Sequence, residues 1–337
     1  MCQGCQMCTF GSTEPEQDFE PFKTKDGNGY NGTGRKSPQW WPSRYGADDR
    51  IGSGNELTPE RTLEAVRLVS EGRVIELTQI LEKGVPIWPP AGVKPEFEGA
   101  RPFHQTIVAH AQLEATVPQG NHLGYFEENV FKTYHIGTHI DGLAHIGIDG
   151  RYYNGIHYKD FYTPTGVKTL GMESTRPFVC RGVILNIAKL LGVEMLTEGF
   201  VITPEHLEAA CAVQNVEVKA GDAVIIHTGY GALWMVDNDR YGNLEPGIGW
   251  DAAHWLTDRH ISAVGADTWS VEVLPGERLE APFVIHQHLL AETGTHIIEN
   301  MKTDELAACG KSEFLFICLP IKHRGATGSQ ISPVAVI

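Results

Sequence analysis

Long apolar runs are missing from this sequence. Nowhere do about 18 apolar residues follow one another, so no segment is predicted to span a membrane. The N-terminus also lacks the basic region, apolar stretch and small-residue cleavage site of a secretory leader, and a cytoplasmic location is expected. Positive charge is short: 27 Lys and Arg face 42 Asp and Glu, for a formal net charge of −15. A phosphate backbone would be repelled by such a surface, which argues against a general nucleic-acid binder and leaves a small-molecule substrate as the expected partner. No G-x-S-x-G elbow occurs, which disfavours a serine hydrolase. No G-x-G-x-x-G follows a predicted strand, which disfavours a dinucleotide enzyme.

Cysteine is present but not as a disulfide framework. The count is seven, an odd number, and Cys180, Cys211, Cys309 and Cys318 are scattered through apolar contexts. They read as small core residues in a reducing compartment. Cys2, Cys5 and Cys8 form a C-x-x-C-x-x-C run, but no fourth thiol or imidazole stands near it to complete a metal site.

The 337 residues are ordinary for a globular protein, with 42% hydrophobic and 20% charged side chains. Residues 1–45 read as an irregular arm, and residues 46–337 as a single catalytic domain. The aromatic end of the arm (Trp40, Trp41, Tyr45) is expected to pack on something, a neighbouring subunit included. Thr58-Pro59-Glu60 and Thr203-Pro204-Glu205 each open a helix, with Thr as cap and Pro in the first turn. After the first of these, Leu63, Val66 and Val69 recur on one helical face. Strands are predicted from Val74 to Thr78 and over 182–187, 223–227, 296–298 and 314–318, with a helix over 286–292 ended by Gly294. Strands and helices alternating along the chain indicate an α/β fold with mixed sheets and flanking helices.

The chemistry concentrates in Tyr134-His135-Ile136-Gly137-Thr138-His139-Ile140-Asp141-Gly142-Leu143-Ala144-His145. Three imidazoles and a carboxylate within eleven residues suit zinc or manganese, one ion or two, rather than an all-oxygen cation site. A lone histidine is most often an ordinary packed or exposed residue; this spacing argues otherwise. A helix would rotate Asp141 about 200° from His139. A straight strand would separate His135 from Asp141 by about 20 Å. The backbone must therefore bend inside the motif, and Gly137 and Gly142 permit it. Thr138 is placed to hydrogen-bond the turn or to orient a ligand.

The motif His135-x-Gly137-Thr138-His139-x-Asp141-x-x-x-His145 resembles the H-x-G-T-H-x-D-x-P-x-H signature of the cyclase family, which includes bacterial kynurenine formamidases and isatin hydrolases. Further segments share the likeness, among them Gly84-Val85-Pro86-Ile87-Trp88-Pro89, Gly265-Ala266-Asp267-Thr268 and Gly325-Ala326-Thr327-Gly328-Ser329. The resemblance implies a three-layer β/β/α cyclase-like (swivelling) fold, a homo-oligomer (dimer or tetramer), and a metal-dependent hydrolase acting on amide or lactam C–N bonds. It makes His135, His139 and Asp141 metal ligands and His145 the general acid/base. A later H-x-x-L-L…E-N pattern adds His286 and Glu299 as ligands of a second ion, with His288 as the alternative to His286. Leu143 stands where the signature has proline, which points to a longer branch of the family. A lactone or ester hydrolase on the same site, or a non-catalytic metal-binding scaffold, are the rival readings. Trp88, Phe103, Phe126 and Tyr134 are candidates for an aromatic substrate wall, and His227 and Asp267 for supporting or structural positions.

Overall fold

In a computed structural model the described residues are 39–88, 101, 103–109, 126–277 and 281–337. The C-x-x-C-x-x-C run and most of the N-terminal arm lie outside them. Nine strands build one mixed sheet: β1 (Val74–Glu76), β2 (His139–Asp141), β3 (Phe178–Asn186), β4 (Ala223–His227), β5 (Ala263–Ala266), β6 (His296–Glu299), β7 (Glu313–Cys318), β8 (Gly328–Gln330) and β9 (Val334–Val336). Their spatial order is β1-β9-β7-β3-β4-β5-β6-β2-β8. The central run β3-β4-β5-β6 is parallel, and every pairing outside it is antiparallel.

Parallel neighbours need crossovers, and helices supply them. Pro204–Gln214 lies between β3 and β4, Trp250–Asp258 between β4 and β5, and Val284–His286 between β5 and β6. The last continues as a π-helical turn, Gln287–Thr293, closed by Gly294 at φ +70°. Strands buried on both faces read as continuous apolar runs, and β4 is Ala-Val-Ile-Ile-His with the first four residues buried. The core under the sheet gathers Ile75, Leu77, Ile140, Phe178, Ile225, Ile298, Phe314 and Phe316. The mixed sheet with flanking helices is the α/β class expected from the sequence. Among the described residues no helix is long and apolar enough to cross a membrane.

Both proline-led helices form, and Thr58 Oγ1 accepts the Arg61 N–H. The apolar spacing along Pro59–Val66 does not mark a core face, however. Leu63 and Val66 are exposed and Ala65 is the buried residue. Two polar side chains in its first half tie the helix down: Thr62 Oγ1 donates to Val179 O at 2.7 Å, and Arg61 pairs with Glu56 at 2.6 Å. The aromatics at 40–45 pack on their own chain. Trp41 seats its ring against Gly155, with Arg151 over it at 5.0 Å, and Tyr45 donates to Glu56 Oε1 at 2.8 Å.

Candidate metal centre

The site grows out of β2 and its two neighbours. Side chains alternate across a strand, so Ile140 enters the core while His139 and Asp141 share the other face. Register then selects their companions: His139 stands opposite Glu299 of β6, and Asp141 opposite Gly328 of β8. His135 precedes the strand and returns to it through the bend at Gly137, whose φ of +61° favours glycine. Gly142 contributes by close approach rather than by its dihedral angle. Its N–H donates to Thr327 O at 2.8 Å, and a Cβ there would meet that oxygen.

His135 Nδ1 lies 2.8 Å from Asp141 Oδ1, and its Nε2 lies 3.2 Å from Thr327 Oγ1. His139 Nδ1 donates to Gly137 O at 2.8 Å, which turns Nε2 inward, 3.2 Å from Glu299 Oε2 and 3.4 Å from Asp141 Oδ1. His286 Nε2 is 3.0 Å from Glu299 Oε1 and 3.8 Å from Asp141 Oδ2. His145 stacks on His135, ring centroids 3.8 Å apart, with Nε2 3.8 Å from Asp141 Oδ2. His286 and not His288 faces the cluster. His288 is turned away, its Nε2 on Thr257 at 2.9 Å and its Nδ1 on Glu292 at 2.7 Å.

This set fits a divalent cation. The donor atoms of His135, Asp141 and His145 lie within 4.8 Å of one another, and so do those of His139, Asp141 and Glu299. Asp141 Oδ2 and His139 Nε2 are buried and make no hydrogen bond. Orphaned polar atoms of this kind are costly unless something binds them. The electrostatics agree. Against burial, His145 and His135 hold the Asp141 carboxyl well below its ordinary range. Against burial and the charge of Asp141, His139 and His286 hold Glu299 below its own. Against burial again, Glu299 and Asp141 hold His139 up at about 10, and Glu272 and Glu299 hold His286 well above the usual imidazole value. Buried carboxylates thus call for positive charge at this point, and protons answer when no cation does. His145 behaves differently: burial pushes it down to about 3, so it is a neutral imidazole at neutral pH.

Next to the cluster is a cavity of about 20 Å³, lined in part by Trp88, Arg101, His139, Tyr241, Trp269 and Asn300. That is room for about one water. Of the four aromatic candidates, Trp88 lines it, stacked on Trp269 at 5.1 Å with Phe283 edge-on at 5.3 Å. Phe103 heads the exposed two-stranded ribbon Phe103–Ala109/Glu127–Lys132, Phe126 is exposed beside it, and the Tyr134 hydroxyl meets His323. None of these three lines the cavity. Neither Asp267 nor His227 lines this cavity: the Asp267 carboxylate accepts the N–H groups of Thr228 and Gly229 at 2.9 Å each, and His227 Nδ1 contacts Thr303 Oγ1 at 2.7 Å. The sequence reading passed over Glu272, Arg101, Trp269, Tyr241 and Asn300. No spacing marks Glu272 or Arg101; Asn300 stood in the E-N pair beside Glu299, and Trp269 next to the Gly-Ala-Asp-Thr segment.

Comparison with known proteins agrees with this architecture. The family model described as "Putative cyclase" matches residues 75–273. A crystal structure of a novel cyclase superposes with a TM-score of 0.77 at 28% identity, covering 87% of this chain and 96% of the other. Isatin hydrolase A from Ralstonia solanacearum gives 0.59 at 21% identity, over 78% and 91% of the two chains. A kynurenine formamidase from Bacillus cereus is 23% identical over 262 residues, which is 77% of this chain and 95% of that one. With more than half its length matched by the family model, and with the sheet register that assembles the motif, this chain belongs to the cyclase family.

Proposed function

We propose that this protein is a metal-dependent hydrolase that cleaves the C–N bond of a small, aromatic cyclic amide. One observation carries the reading: His135, His139 and His286 gather from separate sequence regions around the buried Asp141 and Glu299 carboxylates, and Asp141 Oδ2 and His139 Nε2 make no hydrogen bond there. The names of the relatives, isatin hydrolase and kynurenine formamidase, support amide chemistry. A divalent ion held there supplies Lewis acidity and lowers the pKa of water from about 15.7 towards about 7.

The remaining work falls to the protein. His135, His139, Asp141, His286 and Glu299 would hold the ion or ions, zinc or manganese. His145, set beside Asp141 with its Nε2 3.8 Å from Oδ2, takes up the proton that the attacking water gives up and passes it to the leaving nitrogen. Arg101, which lines the cavity and reaches His135 O at 3.4 Å, adds a fixed positive charge for a developing oxyanion. Trp88 and Trp269, stacked on each other, give the cavity its apolar side.

The test is a substrate panel of cyclic amides, N-formyl arylamines and aromatic lactones, assayed with zinc-loaded, manganese-loaded and chelator-treated protein. Turnover of the amides that needs the metal is the expected result. Preference for lactones would move the assignment to ester cleavage, and metal retention without any turnover would leave a binding scaffold.

A further inference from the structure

Glu272 is a buried carboxylate with no place in the ligand set, yet it is fastened to one of the ligands. Its Oε1 accepts from His286 Nδ1 and from the His286 backbone N–H at 3.2 Å, while Oε2 accepts the Ile285 N–H at 3.4 Å. The side chain is 2% exposed. We propose that Glu272 is the positioning residue of the metal centre, orienting His286 for ligation through its Nδ1. The inference rests on the metal-hydrolase reading above and extends it to a residue that does not touch the ion.

Three observations converge. First, the contact occupies Nδ1, the nitrogen turned away from the cluster, and so leaves Nε2 as the one directed at Glu299 Oε1 and Asp141 Oδ2. An imidazole has two nitrogens, and the hydrogen bond made by one decides which is free to ligate. Second, the carboxylate cannot swing, because two backbone N–H groups of the same helical turn hold it. Carboxylate, helix turn and ring therefore form a rigid unit. Third, the backbone is strained on both sides of the contact. Val271, immediately before Glu272, has φ +67°, and Phe283, which opens the helix carrying His286, has φ +60°. Left-handed conformations are costly for residues other than glycine, and a β-branched valine is an outlier there. Strain of this kind persists where the surroundings over-determine a geometry. Here it falls at the two points that bring Glu272 and His286 face to face.

A merely structural buried pair would share the contact but not its dependence on the metal, and the experiment separates the two. Full-length wild type, Glu272→Gln, Glu272→Asp, His286→Ala and the Glu272→Gln/His286→Ala double variant are stripped with chelator and reloaded with zinc or with manganese. Metal stoichiometry is read by elemental analysis, affinity by competition with a chromophoric chelator, and folding by the melting midpoint of the metal-free protein. Glu272→Gln is expected to weaken metal binding about 10- to 100-fold, the usual cost of losing such a partner, and to lower the metal-free midpoint as well, because the buried His286 ring loses its paired charge. Glu272→Asp, which keeps the charge but withdraws the oxygen, shifts affinity the same way and serves if the Gln variant does not fold. Adding Glu272→Gln to His286→Ala is expected to change nothing further, since Glu272 acts only through that ring. Wild-type affinity in both Glu272 variants, or an equal loss in the presence and absence of His286, overturns the positioning role alone. A wild type that takes up neither metal overturns the metal-centre reading, and this inference with it.

Discussion

Thr138 donates its hydroxyl to the Asn300 carbonyl at 2.6 Å, tying the middle of the histidine motif to the residue that follows Glu299. The clasp is two-sided, because Asn300 Nδ2 donates to Gly137 O at 3.1 Å and Thr138 Oγ1 accepts the Gln79 N–H at 2.8 Å. Two halves of the ligand set, 160 residues apart in sequence, are thereby held in fixed relation.

Thr138→Val keeps the shape of this side chain and removes its hydroxyl, leaving the Gln79 N–H and one acceptor position on Asn300 unpaired in a buried setting. The expected loss is about 1–3 kcal/mol of stability, measured by urea unfolding of the metal-free protein. Metal affinity should fall with it, since His139 and Glu299 lose their common tether. A variant as stable as wild type would remove the clasp from the account.

Asp141 and His145 are expected to separate holding the metal from moving the proton. Asp141 belongs to both groups of converging donors, so Asp141→Ala should abolish metal retention altogether. His145→Ala should retain metal and lose turnover by about 10²–10⁴-fold, the range for a removed acid/base. Elemental analysis alongside kinetics on the two proteins checks both. If His145→Ala loses metal as readily as Asp141→Ala, His145 is a ligand, as its closeness to His135 and Asp141 would then explain.

How far the sequence alone carries can be judged from particular residues. The short motif was readable because it is local: a bend is the one way to bring His135 to Asp141, and Gly137 at φ +61° makes it. The strands over 223–227 and 314–318 were readable because they are buried runs of β-branched and aromatic residues. The choice between His286 and His288 was not readable, since it depends on the phase of a helix that passes into a π-helical turn, which shifts every later side chain. Glu272 and Arg101 reach the site through tertiary folding alone, and no periodicity announces them. The apolar face of Pro59–Val66 misled because helical spacing shows that a stripe exists, not what covers it.

The pH dependence of metal uptake follows from the same carboxylates. His139, held up at about 10, and His286, held well above its ordinary range, both carry protons at neutral pH when no cation is bound. Ligation needs their lone pairs, so uptake expels about two protons. The sign is therefore fixed: protons compete with the metal, so affinity falls as pH falls and rises with pH while these rings remain protonated in the metal-free protein. Calorimetric titrations with zinc at pH 7, run in buffers of different ionisation enthalpy, count the protons directly. Uptake with no proton release would contradict the charge state assigned to these two rings.

Gly328 provides the most local test, because it probes position with no change of charge or ligand. It stands opposite Asp141 in the ladder, and the His135 ring packs on its bare Cα; a Cβ built there would come within 2.6 Å of the imidazole. That is closer than two such atoms approach, so in Gly328→Ala either the β8 backbone or the His135 ring must move. The strand is held by its pairing with β2 and by Gln330, whose Nε2 donates to Tyr134 O at 3.0 Å, whereas the ring is held by side-chain contacts alone, to Asp141, Thr327 and the stacked His145. The ring is thus expected to yield, breaking its 2.8 Å contact with Asp141. Metal retention should fall towards that of a His135→Ala protein while thermal stability without metal changes little. Undiminished metal content in Gly328→Ala would mean that His135 does not need its present seat, and that the ligand set is looser than the sheet register implies.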